Sequence, residues 1–125
     1  MVETENKDYL FSNLSEEARV LNKQLLCVNW ENIDFDSENF KNGLVIDSPE
    51  LDKEQNELIK KIIKIIPEWE RLLGCKQHDI HDYPLDIHTL SVVKKLKEHN
   101  DYMRFQRVDR LKALYSALLH DIAKN

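Results

Sequence analysis

The stretch from Val108 to Asn125, VDRLKALYSALLHDIAKN, decides the fold. Val108, Leu111, Leu114, Tyr115, Leu118 and Ile122 recur every three or four residues, which lines one face of an α-helix and does not fit the alternation of a strand. The same stretch closes on His120, Asp121 and Lys124, residue types that bind metals and phosphates. An apolar stripe runs straight into polar chemistry.

Upstream, Leu85, Thr89, Val92, Val93 and Leu96 line a second helix, entered at Pro84 and ending near His99 and Asn100. A short connection around residues 100–106 makes the two helices antiparallel neighbours. His88 lies eleven residues before His99, and His120 thirteen after Arg107. At about 1.5 Å per residue, both histidines stand roughly 17–20 Å from the turn, at the same end of the hairpin. Ala113 and Ala117, on the His120 face, allow a neighbouring backbone to come close. Two imidazoles and a carboxylate form a mixed nitrogen and oxygen set suited to manganese, iron or zinc, whereas magnesium asks for more oxygen donors. Adjacent residues of an ideal helix point about 100° apart, so His120 and Asp121 can share an ion only at a helix end or in a deep pocket.

The rest of the chain is also read as helical. Ser15 caps a first helix over residues 15–28, with Leu14, Ala18, Leu21, Leu25 and Val28 in register. The stretch NWENIDFDSENFKNG mixes turn formers with acids and aromatics; a short helix near 36–42 stops at Gly43. A calcium loop starting at Asp34 fails, because Asn39 stands where a glycine is needed and Val45 where a bidentate glutamate is needed, so a solvated loop is expected. Ser48-Pro49-Glu50 predicts the start of a helix carrying Leu51, Leu58, Ile59, Ile62, Ile63 and Ile66. Pro67 interrupts it, and PEWERLLG reads as a short separate helix or a kinked continuation ending at Gly74. The segment CKQHDIHDYP reads as a polar loop. Trp30 and Trp69 are expected in the core. The expected fold class is all-α, a helical bundle.

Two glycines and three prolines in 125 residues fit that class. Hydrophobic residues at 42% and charged residues at 33% suit one globular core. No apolar run reaches the roughly 20 residues of a membrane span, and the start MVETENKDYL is not a signal peptide, so no membrane partner and a cytoplasmic location are expected. Cys27 and Cys75 are far apart and read as reduced thiols. Residues 1–75 carry 9 basic and 16 acidic side chains, and residues 76–125 carry 9 and 7, too small a basic excess to imply nucleic-acid binding by itself.

The run IHTLSVV followed some thirty residues on by ALLHDIAK resembles the HD superfamily of metal-dependent phosphohydrolases, whose ligands follow the order H…HD…D. The resemblance implies His88 as the first histidine ligand and His120 with Asp121 as the doublet. It also implies Lys124 as a cation that neutralises phosphate, beside a catalytic part for Asp121. Upstream, IIPEWERLLGCKQHDIHDYPLDIHTL is similar to the entry into the HD domains linked to bacterial nucleotidyltransferases, of the tRNA CCA-adding and PII uridylyltransferase type, with Gln77, His81, Asp86, His88 and Thr89 matching their layout. Residues 60–125 then correspond to a partial HD domain, truncated at the C-terminus because the family's last aspartate ligand lies farther downstream. Residues 1–59 form a helical extension with no glycine-rich transferase signature.

The resemblance implies a divalent cofactor and a nucleotide or other phosphorylated substrate, with RNA as a further partner and a homo-oligomer or a second chain completing the site. A non-catalytic helical module that binds a nucleotide, RNA or a subunit is the competing expectation. For the neighbouring residues plainer roles are expected. His78 and His81 are read as solvated, His99 as favouring a helix dipole, and Arg104, Arg107 and Arg110 as an exposed basic turn.

Overall fold

The computed structural model describes residues 15–76 and 83–122, and within them the architecture is all-helical, with no strand. Helix α1 spans Glu16–Cys27, α2 Lys53–Ile65, α3 Leu85–Glu98, α4 Asn100–Arg104 and α5 Arg107–Leu119, with 3-10 turns at Glu38–Phe40 and Pro67–Leu72. No described helix is long and apolar enough to cross a membrane. Cys27 and Cys75 are free thiols.

The local signals explain most of these bounds. Ser15 accepts a hydrogen bond from the Ala18 amide at 3.1 Å and starts α1 as expected. The helix expected from Ser48 starts later, at Lys53. Asp52 accepts from the Gln55 amide at 2.8 Å, and the Gln55 side chain accepts from the Asp52 amide at 2.9 Å, a reciprocal capping box. Gln55 is also fully buried and donates to the Asn29 carbonyl at 2.8 Å, so this cap is fixed by tertiary structure. Residues 48–51 form a turn instead, pinned by Asn56, which donates to the Ser48 carbonyl at 2.9 Å.

Three further expectations are adjusted. The short helix near 36–42 is a single 3-10 turn. The connection around 100–106 contains α4, because His99 accepts from the Asp101 amide at 3.1 Å and caps a new helix. Its ring nitrogen Nδ1 is the acceptor of that cap. Helix α5 stops at Leu119, short of Ile122. Pro67 does end α2, and Gly43 and Gly74 adopt the left-handed φ of 86° and 67° at which both stops were expected.

One hydrophobic core gathers Leu21 and Leu25 of α1, Leu58 and Ile62 of α2, Trp69 and Leu72, Ile87, Leu90 and Val93 of α3, and Leu114 and Leu118 of α5. The loop after α1 contributes Trp30 to it, as expected, together with Ile33, Phe35 and Phe40, the last two from a stretch expected to be solvated. The rings of Trp30, Phe35 and Phe40 stack in sequence, with centroids 5.8 and 5.4 Å apart. Such a loop must satisfy its backbone carbonyls. Lysines of α3 do so: Lys94 donates to the Ile33 carbonyl at 2.5 Å, and Lys97 to the Val28 and Leu26 carbonyls at 2.6 and 3.3 Å. Tyr83 adds a hydrogen bond to the Asp36 carbonyl. At the other face of the bundle, the Tyr115 hydroxyl donates to the Asn22 side chain at 2.6 Å and ties α5 to α1.

Candidate metal centre

His88 sits in the first turn of α3, and His120 and Asp121 immediately follow α5. The antiparallel packing brings them together, with one donor atom of each within 4.8 Å of the others. His120 Nε2 lies 3.0 Å and His88 Nε2 3.6 Å from the same Asp121 oxygen, Oδ2. The two imidazole centroids are 5.5 Å apart. Asp121 is 1% exposed, while the histidine side chains are 36–37% exposed, so the carboxylate forms the floor and the rings form an accessible mouth.

The end of α5 is what makes this convergence possible. His120 has αR backbone angles, but the helical register stops before it, and the two adjacent side chains reach the same point. His120 Nδ1 lies 2.6 Å from the Ala117 carbonyl. A carbonyl only accepts, so Nδ1 donates to it, which leaves Nε2 as the ring atom that faces Asp121. The Trp69 indole donates to the Leu118 carbonyl at 3.0 Å, deep in the core, and holds the last turn of the helix in place. Trp69 was expected as a core residue; its hydrogen bond could not be read from the sequence, since the acceptor lies 49 residues away.

The donor set fits a divalent ion. Metal–nitrogen and metal–oxygen bonds of about 2.0–2.2 Å place neighbouring ligand atoms roughly 3–3.6 Å apart in tetrahedral or octahedral geometry. The two histidine-to-aspartate distances, 3.0 and 3.6 Å, lie in that range. Nitrogen and oxygen donors in this proportion suit manganese, iron or zinc.

Of the other residues singled out, Asp86 and Thr89 are fully buried. Asp86 accepts from the Leu44 amide at 2.7 Å. Burial pushes its carboxyl above the ordinary range, opposed by the backbone amides of Leu44, Ile87 and Gly74. His99, Arg104, Arg107 and Arg110 lie at the turn end of the hairpin, away from the cluster. Arg110 there caps α4, donating to the Tyr102 and Met103 carbonyls at 3.2 and 2.7 Å. Gln77, His78, His81 and Lys124 lie outside the described residues.

No family model matches the chain, and no solved structure matches it. Two curated relatives are the bifunctional uridylyltransferase/uridylyl-removing enzymes of Neisseria meningitidis serogroup B and Neisseria gonorrhoeae. Each is 34% identical over 73 residues, covering 49% of this chain. The match spans only 9% of the length of each relative. The similarity therefore supports, for part of the chain, a relation to nucleotidyltransferase-linked proteins.

Proposed function

We propose that this chain is an HD-type metal-dependent phosphohydrolase domain, or a part of one, that acts on a nucleotide or another phosphate ester. The convergence of His88, His120 and Asp121 supports this reading most directly. The similarity to proteins named for adding and removing a uridylyl group supports the substrate class.

In this reading His88 and His120 supply imidazole nitrogens and Asp121 a carboxylate oxygen to one divalent ion. The ion, when bound, supplies Lewis acidity toward a phosphoryl oxygen and toward water. The chain does the rest. Asp121, shielded from solvent, offsets the ion's charge; the His120 ring is held by Ala117 so that Nε2 faces the ion; the open histidine side admits the phosphate. Lys124 is assigned by resemblance to neutralise charge on that phosphate. The surroundings proposed are cytoplasmic, with a phosphorylated small molecule or nucleotide as partner.

The second reading is a non-catalytic helical module that binds a nucleotide, RNA or a subunit, including a second copy of the chain. The donor set among the described residues favours it, since three protein ligands hold an ion more loosely than four. Calorimetric titration with Mn2+ and Zn2+, with His120→Ala as control, separates the possibilities when followed by hydrolysis of bis(p-nitrophenyl) phosphate. Binding of about one ion per chain that is lost in the variant, with turnover that Asp121→Ala abolishes, is expected. Binding without turnover would favour the module, and no binding would sink the metal reading.

A further inference from the structure

We propose that Asp86 is a positioning residue for His88, and that the Gly43–Leu44 loop from the first half of the chain is thereby part of the support of the metal centre. The inference rests on the metal reading above and concerns what aims one of its ligands. Two of the three donors leave the end of α5, which Trp69 holds. The third, His88, stands alone on α3, so the shape of the site depends on where α3 begins.

That beginning has no ordinary cap. Pro84 occupies the N-cap position and makes no side-chain hydrogen bond to the helix. The Asp86 carboxylate, fully buried in the first turn, instead accepts from the Leu44 amide at 2.7 Å across 42 residues of sequence. Nearby, the Leu85 amide donates to the Cys75 carbonyl at 2.8 Å, so strands of chain on both sides grip the same turn.

The contact is close enough to exclude any side chain. A Cβ placed on Gly43 would lie 2.5 Å from the Gly74 Cα and 3.1 Å from Asp86 Oδ1. Gly43, Gly74 and Asp86 thus form a three-way clasp two residues before His88. A helix start gripped in this way cannot shift or rotate independently of the loop. Loss of the carboxylate frees it, and His88 moves relative to His120 and Asp121.

The test is Co2+ titration of the full chain, read by visible absorption, for the wild type, Asp86→Ala, Asp86→Asn and Tyr115→Phe, each checked for folding by circular dichroism. Changes to groups that orient ligands weaken metal binding by about 10–100-fold, and Asp86→Ala is expected in that range with an altered Co2+ band. Asp86→Asn keeps an oxygen acceptor for Leu44 and is expected to recover part of the loss, remaining roughly 3–10-fold weaker than the wild type. Tyr115→Phe, which removes a hydrogen bond between α1 and α5, should leave Co2+ affinity unchanged. Wild-type affinity in Asp86→Ala, or an equal loss in Tyr115→Phe, would overturn the inference while leaving the metal reading intact. Should Asp86→Ala not fold, Asp86→Asn decides alone, and wild-type affinity there overturns it. Absence of Co2+ binding by the wild type would overturn both.

Discussion

Replacing Gly43 with alanine should be among the most damaging single-methyl additions to this chain. Three effects combine. At φ 86° an L-residue pays a left-handed penalty of about 1–2 kcal/mol. The new Cβ would lie 2.5 Å from the Gly74 Cα and 2.6 Å from its nitrogen, about 1 Å inside the normal contact distance. Both obstacles are backbone atoms, so the loop itself must retreat. A shift of that size carries the Leu44 amide, now 2.7 Å from Asp86, out of hydrogen-bond range and leaves a buried carboxylate short of a donor, for a further loss of roughly 1.5–3 kcal/mol. The expected destabilisation is about 3–5 kcal/mol, a large fraction of the roughly 5–15 kcal/mol that holds a typical domain. Gly74→Ala is the internal comparison. Its φ of 67° carries the same left-handed penalty, but its Cβ meets only the Asn42 carbonyl oxygen at 3.2 Å, so about 1–2 kcal/mol is expected. Urea unfolding followed by circular dichroism measures both. A Gly43→Ala cost under about 1.5 kcal/mol, or one no greater than that of Gly74→Ala, would refute the clasp.

Trp69→Phe keeps a ring in the core but strips the donor from the Leu118 carbonyl, and the orphaned acceptor together with the void should cost about 2–4 kcal/mol in urea unfolding. Asp52→Ala removes the side-chain half of the α2 capping box and should cost about 1 kcal/mol, seen as a lowered melting temperature. Burial lowers the pKa of Lys97 to about 8, so the unfolded chain binds more protons between that value and the ordinary lysine value of about 10.4. Stability attributable to Lys97 therefore rises with pH across this window, and comparing wild type with Lys97→Met by unfolding along a pH series should show a flatter profile in the variant.

Where the sequence spoke clearly, it did so through period and punctuation. The three-to-four spacing in α1, α3 and α5 left no other reading, and Gly43, Pro67 and Gly74 marked real ends. The meeting of His88 with His120 followed from counting residues on either side of one turn, and the accompanying need for a helix end was met when α5 stopped at Leu119. The start of α2 was read at Ser48 but lies at Lys53, where Asp52 and Gln55 form the cap because Gln55 also binds Asn29, a partner absent from any local window. Trp30 was legible as a core residue, but Ile33, Phe35 and Phe40 follow no period, and the acids between them disguised their burial. Asp86 matched the layout of the resembled HD domains in name, yet its partner Leu44 is 42 positions away. Contacts of that kind are invisible to spacing.

The Tyr115–Asn22 hydrogen bond joins residues 93 positions apart. Closing so large a loop carries an entropic cost that short-range contacts do not, since that cost grows with the logarithm of loop length. Helices α3, α4 and α5 are successive and can assemble through local contacts, so they are expected to form early on the folding route. Helix α1 docks afterward, and its amides should be among the first to exchange with solvent when the native state opens. The order of assembly expected from these contacts runs backward along the chain, from the end that carries the histidines toward helix α1.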